Sequence, residues 1–355
     1  MHVLRHHQLR LLTLAAIASA TTIHQAAAQA SRIDHSFEDS LPAWMARAHV
    51  PGVALAILEG DKVTRTSTFG ELRAGTPLKV DALWNVASLT KPVVAVTTLK
   101  LVDAGTLSLD EPLARYWIDP DIADDTLRTR LTPRIVLSHQ TGFPNWRWLG
   151  PTRKLGFLFA PGTGYRYSGE GYEYLRRALT IKYGRSLQQL ADSALFAPAH
   201  MRETSFGWNT NADSLRFAEG HDTAGAVIHA PRRTSNDPNA ADWLVTTIGD
   251  YGRFAVYVLA GADLSPKLAR EMTTPQVRFA PNSSEAMGLG WEIMDGPVTD
   301  ASIVLHTGSD AGIKTLILLL PQTHRGLVIF TNGERGMEVV MKILKTAVNL
   351  KELTP

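Results

Sequence analysis

The chain contains a single Ser-x-x-Lys, Ser88-Leu89-Thr90-Lys91, placed where an extended stretch from Val80 to Val86 meets an apolar helical stripe that begins at Pro92. Residues three apart on a helix share a face, so the Lys91 amine can reach the Ser88 hydroxyl, and the positive helix end favours a developing alkoxide. A serine hydroxyl is a poor nucleophile until a base takes its proton. A lysine serves as that base only where burial or neighbouring cations lower its pKa. One such pair is close to what chance supplies, and Ser88 is equally suited to be a plain helix N-cap, so the surrounding residues have to decide.

Two further groups supply that context. Tyr167-Ser168-Gly169 lies in a turn between Pro161-Gly162 and a helix beginning near Tyr172. A phenol held beside an amine can pass a proton between nucleophile and leaving group, although a tyrosine more often packs its ring and leaves its hydroxyl at the surface. His306-Thr307-Gly308-Ser309 ends a strand. Its glycine admits close backbone approach, and a strand-end N–H can join that of Ser88 as an oxyanion hole.

These elements in this order resemble the serine β-lactamase and penicillin-binding-protein-like superfamily, in the branch of class C β-lactamases, D-alanyl-D-alanine carboxypeptidases and esterases. The likeness runs from about Val50 to Asn332. It includes Val50-Pro51-Gly52-Val53, Asn85 to Pro92, Leu137-Ser138-His139-Gln140-Thr141-Gly142, Gly288-Leu289-Gly290-Trp291 and His306 to Gly312. The resemblance implies an acyl-enzyme on Ser88, proton work shared by Lys91 and Tyr167, and an oxyanion held by the N–H groups of Ser88 and Ser309, with His306, Thr307 and Gly308 lining the substrate site. It implies no cofactor and no metal. The twelve histidines include no His-Glu-x-x-His or comparable ligand spacing, and no Gly-x-Ser-x-Gly elbow of an α/β-hydrolase occurs.

Two departures bear on substrate. Gly169 stands where the family's β-lactamases carry an Asn whose amide contacts an acylamino group. His306 stands where they carry a lysine, and a histidine is largely neutral at pH 7 unless a neighbour raises its pKa. Both changes favour esterase or peptidase over β-lactamase. Glu170 is open to two placements, into the site or out to solvent, the second being commoner for a glutamate. Trp146, Trp148 and Trp291 are candidates for an apolar wall, with ordinary core packing an equal alternative.

The reading is therefore an exported serine hydrolase acting on a small ester or amide. The alternatives are a D-alanyl-D-alanine carboxypeptidase or β-lactamase using the same residues, or a non-catalytic protein that binds peptidoglycan fragments or a partner on the same scaffold. A small molecule or short peptide is the expected substrate.

The elements that must position these residues follow from periodicity. An apolar run from Val53 to Leu58, the turn Glu59-Gly60-Asp61-Lys62 and an alternating Val63 to Phe69 predict a β-hairpin. A helix is predicted over Pro92 to Ala104, and shorter helices over Tyr172 to Tyr183 and Leu187 to Phe196. Strands are predicted over Leu289–Met294, Ile303–His306, Lys314–Leu320 and Leu327–Thr331, with a closing helix from Gly336 to Asn349. The expected fold is α+β and β-lactamase-like: an antiparallel sheet built from both termini and flanked by helices, with an all-helical lobe inserted between them.

Composition sets the outer bounds. In 355 residues, 45% are hydrophobic, 20% are charged and none is Cys, which fits a globular chain with no disulfide scaffold. Arg5 and Arg10 precede an apolar run from Leu11 to Thr22 and small residues at Ala26-Ala27-Ala28 or Ala28-Gln29-Ala30, so residues 1–28 read as a secretory signal peptide. The remaining 29–355 form one hydrolase domain with a core of about 40–345, periplasmic or extracellular and without a membrane span. That part carries 34 basic against 34 acidic residues, a balance that argues against nucleic acid as a partner. Oligomeric state is not legible.

Overall fold

The computed structural model describes residues 33–208, 214–229, 238–295 and 302–348. The expected signal peptide lies outside them, as do 209–213 and 230–237 within the polar stretch from Trp208 to Asn239. No helix among the described residues is long and apolar enough to cross a membrane.

The N-terminal hairpin forms as its pattern dictates. Strand β1 (Gly52–Glu59) pairs antiparallel with β2 (Val63–Arg73). Gly60 and Asp61 both have positive φ, 56° and 63°, as the two-residue turn matching strand twist requires. After β3 (Thr76–Pro77), the C-terminal strands β12 (Ser302–Asp310), β13 (Ile313–Leu320) and β14 (Arg325–Thr331) complete the sheet. β14 pairs with β1, from Val53 opposite Thr331 to Glu59 opposite Arg325, so the two ends of the chain do close one sheet. Its order is β3-β2-β1-β14-β13-β12-β11-β10-β9, where β9 is Val277–Arg278, β10 is Glu285–Met287 and β11 is Glu292–Asp295.

Both faces of this sheet are covered, which explains why β1 reads as a continuous apolar run. Val53, Leu55 and Ile57 face helices α1 (Phe37–Ala48) and α8 (Gly336–Ala347), meeting Phe37, Leu41, Val340 and Ile343. Ala54, Ala56 and Leu58 face the other way, into a core with Tyr251 and Phe254 of α6 (Ile248–Leu259) and Val93, Val96 and Leu99 of α2 (Thr90–Asp103). Period-two alternation thus serves two cores rather than a core and solvent.

The segment between carries the helices α3 (Pro133–Leu137), α4 (Gly169–Tyr183), α5 (Leu187–Ala191) and α7 (Pro266–Met272), separated by loops and 3-10 turns. It also carries strands of two or three residues, too short for a periodicity to announce. β4 (Trp84–Asn85), β8 (Leu244–Thr246) and β5 (Ser205–Phe206) form a small sheet of their own, and β6 (Gly220–His221) pairs with β7 (Val227–Ile228). The predicted helix to Phe196 is α-helical only to Ala191 and then continues as a π-turn over Asp192–Phe196. The predicted strand from Leu289 begins instead at Glu292. Gly290 has φ 88°, and a Cβ on it would come 2.2 Å from that of Ala95, so Gly288 to Trp291 is a turn seated against α2.

Candidate active site

Ser88 lies in a 3-10 turn, Ala87–Leu89, that runs directly into α2. It does not cap the helix: neither the turn nor α2 has a side-chain cap, which removes the ordinary reading of this serine. It is half-exposed in a segment otherwise buried from Ala82 to Leu99. Ala87 before it has φ 50°, an uncommon conformation for a residue with a Cβ, and the surroundings hold it there. Asn85 Oδ1 accepts from the Ala87 N–H at 2.9 Å, Thr315 Oγ1 donates to Val86 O at 2.9 Å, and Thr90 Oγ1 donates to Ala87 O at 2.6 Å.

Lys91 is 1% exposed. Its Nζ donates to Ala241 O at 2.7 Å and stands 3.1 Å from Ser88 Oγ. Burial lowers its pKa to about 7, against the opposing pull of the Asp242 and Glu173 carboxylates. A neutral amine that gives one N–H to the Ala241 carbonyl has its lone pair free for the Ser88 proton. Ala241 is a contribution that side-chain motifs cannot announce, because it acts through a carbonyl oxygen. The β4–β8 pairing brings that loop to the site, through Val86 N–H to Leu244 O at 3.0 Å.

Tyr167 completes the cluster. Burial, far more than the nearby Ser88 side chain, sets its pKa and raises it, so the phenol stays protonated. Lys91 Nζ lies 4.6 Å from its ring centroid. His139 covers the ring at a centroid distance of 4.3 Å, and His306 lies 6.2 Å away. Both histidines are buried and held neutral: burial, first of all, and the Lys91 charge push His139 well down and His306 to about 3. Their tautomers follow from their partners. Ser168 N–H donates to His139 Nδ1 at 3.0 Å, so His139 carries its proton on Nε2, whereas His306 Nδ1–H donates to Thr307 O at 2.7 Å, which leaves Nε2 an acceptor. Neither Nε2 has a hydrogen-bond partner among the described residues.

The strand carrying His306, Thr307, Gly308 and Ser309 abuts the Ser88 turn. β11 pairs with β12 only as far as Glu292 opposite Leu305, so from His306 onward that edge of β12 is open. A Cβ at Gly308 would lie 2.1 Å from Thr315 Oγ1, 2.6 Å from Val86 O and 3.3 Å from Ala87 Cβ. Asn85 Nδ2 reaches Asp310 Oδ2 at 3.0 Å and ties the turn to the strand end. Gly308→Ala is therefore expected to cost about 1–3 kcal/mol and to lower kcat/KM at least about tenfold, since Val86 O moves only with the Ser88 turn. Thermal denaturation and steady-state kinetics check it; a variant with unchanged Tm and kcat/KM would show the contact to be dispensable.

Glu170 takes neither of its expected placements. It is 4% exposed and binds Arg147, whose backbone N–H donates to Oε1 at 2.9 Å and whose guanidinium donates to Oε2 at 2.9 and 3.0 Å. Asp119 and Asp121 hold the same guanidinium. The three tryptophans divide. Trp291 is fully buried and stacks with Phe254, so it is core. Trp146 lies over Gly169 and stacks on Trp148 at 4.5 Å and 15°, with Trp148 52% exposed.

The cluster contains a serine beside an amine poised near neutrality, a protonated phenol and an open strand edge, a set suited to acyl transfer. Comparison with known proteins agrees. The family described as Beta-lactamase matches residues 37–348. The D-alanyl-D-alanine-carboxypeptidase/endopeptidase AmpH of Escherichia coli strain K12 is 25% identical over 314 residues, 78% of each chain. Esterase EstB of Burkholderia gladioli is 29% identical over 222 residues, 54% of this chain and 55% of that protein. In fold, the D-amino acid amidase of Ochrobactrum anthropi SV3 superposes with a TM-score of 0.72 at 23% identity, covering 89% of this chain and 99% of its own.

Proposed function

Since the chain belongs to the beta-lactamase family of serine hydrolases, we propose that it hydrolyses a small ester or amide through an acyl-enzyme on Ser88. The observation that carries this reading is the 3.1 Å approach of Ser88 Oγ to a buried Lys91 whose pKa is lowered to about 7. Neutral Lys91 takes the Ser88 proton as Oγ adds to the substrate carbonyl, and the N–H groups of Ser88 and Ser309 hold the oxyanion. Tyr167 gives its proton to the departing alkoxide or amine and regains one from the Lys91 ammonium. In the second half-reaction water adds to the acyl carbon, its proton passing to the same pair, and Ser88 leaves reprotonated with release of the acid.

An ester or amide without a carboxylate is favoured over cell-wall peptides and β-lactams. A substrate carboxylate calls for a lasting cation, and position 306 supplies a buried, neutral imidazole. The segment 1–28 fits export of the mature enzyme.

The pH profile is the test. Lys91 accepts a proton only when neutral, so kcat/KM for a neutral ester is expected to rise through about pH 7 and then to hold level to about pH 9. His139 and His306 are pushed down out of that range and add no inflection there. A rate that falls as pH rises through 7 would contradict Lys91 as base. Acylation of Ser88 by a penicillin, with turnover confined to carboxylate-bearing substrates, would replace the ester reading by the carboxypeptidase one.

A further inference from the structure

We propose that Trp146, backed by Trp148, sets acyl-group specificity: it fills the volume that a side chain at position 169 would take, and offers the substrate a flat apolar face with no amide donor. The inference rests on the Ser88 acyl-enzyme reading and names the class of acyl group it takes, an aryl or branched alkyl group without an acylamino substituent.

The first argument is steric. A Cβ on Gly169 would lie 2.6 Å from Trp146 Cη2 and 2.7 Å from Cζ2, closer than real Cβ contacts allow. The glycine and the indole are therefore one feature, and any side chain at 169 requires that ring to leave. The second argument is rigidity. Residues 144–147 are fixed to 168–170 by Ser168 Oγ to Pro144 O at 2.8 Å, Gly169 N–H to Asn145 Oδ1 at 2.9 Å, Glu170 N–H to Asn145 O at 3.0 Å and the Glu170–Arg147 ion pair. The backbone carrying the ring is thus held in place, and the ring itself is seated between Gly169 and the stacked Trp148, a preformed surface.

The third argument is position. Gly169 follows Tyr167 by two residues, at most about 7 Å of chain. Trp146 touches position 169, and Lys91 Nζ lies both 3.1 Å from Ser88 Oγ and 4.6 Å from the Tyr167 ring centroid, so an acyl group of a few atoms esterified to Ser88 comes within reach of the indole. Trp146 is half-buried, and its partner Trp148 stays open to solvent, so the platform continues outward. Aromatic and branched alkyl groups gain from such a face, whereas an amide loses its hydrogen-bonded water there and finds no side-chain donor at 169.

The test compares p-nitrophenyl esters of acetic acid, 3-phenylpropanoic acid and N-acetylalanine on wild type, Trp146→Ala and the double variant Trp146→Ala/Gly169→Asn. In wild type, 3-phenylpropanoate is expected to exceed N-acetylalaninate in kcat/KM by at least about tenfold. Trp146→Ala lowers the ratio of phenylpropanoate to acetate by about 10- to 50-fold, and the double variant shifts preference towards N-acetylalaninate. A ratio that Trp146→Ala leaves unmoved, in a variant with wild-type circular dichroism, would overturn the inference while the hydrolase reading stands. Absence of Ser88-dependent acetate turnover in wild type would overturn the hydrolase reading itself, and the specificity inference with it.

Discussion

Ser88→Ala is expected to lower kcat by about four to six orders of magnitude while leaving the fold intact. The oxygen that would bond to the acyl carbon is gone, and neither Lys91 nor Tyr167 can replace it. Lys91 is confined by the Ala241 carbonyl, and Tyr167 stays protonated because burial raises its pKa. The turn itself does not depend on that hydroxyl. Its bonds run through Asn85, Thr90 and Thr315, and Ser88 caps no helix. Circular dichroism and Tm close to wild type, with single-turnover acylation lost, are the expected results. Acylation at a wild-type rate would remove Ser88 from the mechanism.

Lys91→Met is expected to be the second most damaging change for activity, at least about a thousandfold in kcat/KM, and to stabilise the protein as it does so. The sign follows from the direction of the shift. Lys91 falls from 10.5 to about 7 on folding, so the unfolded chain binds the proton more tightly and stability rises with pH between those values. Below about pH 7 the burden of burying this amine is complete, roughly 5 kcal/mol for a shift of that size, and above about 10.5 it is gone. Loss of the hydrogen bond to Ala241 O returns about 1–3 kcal/mol of that. Lys91→Met is thus expected to raise Tm most near pH 6 and least near pH 10. A variant that loses stability at pH 6 and recovers it at pH 10 would show the opposite shift, and with it an amine unsuited to be the base.

Ser88, Lys91 and Tyr167 can be singled out in the sequence because each is a side chain in a short ordered motif, and the structure brings the three together. The sheet was legible because β1, β13 and β14 carry unbroken apolar runs that only a two-faced core explains. What escaped sequence reading depends on partners far along the chain. Glu170 looks like a surface glutamate until Arg147, 23 residues earlier, is seen to fold back on it. Ala241 enters through its carbonyl, so its residue type carries no signal. His139, within Leu137 to Gly142, has no role that its sequence neighbours assign, since stacking on Tyr167 and accepting from Ser168 N–H are tertiary facts. Trp146 and Trp291 are the same residue type in equally aromatic surroundings; only the packing separates a platform beside the site from a core side chain. The absence of a side chain at position 169 was visible, but the ring that fills its place was not.

The central claim is that Ser88 carries the acyl group. Its most direct test is intact-mass spectrometry with peptide mapping after brief incubation with a fluorophosphonate, and in parallel with a p-nitrophenyl ester quenched in acid. The account predicts one adduct per chain, on the peptide containing Ser88, at a rate that rises with pH through about 7, and none on Ser88→Ala. An adduct on any other residue, or ester turnover that persists in Ser88→Ala, would contradict it.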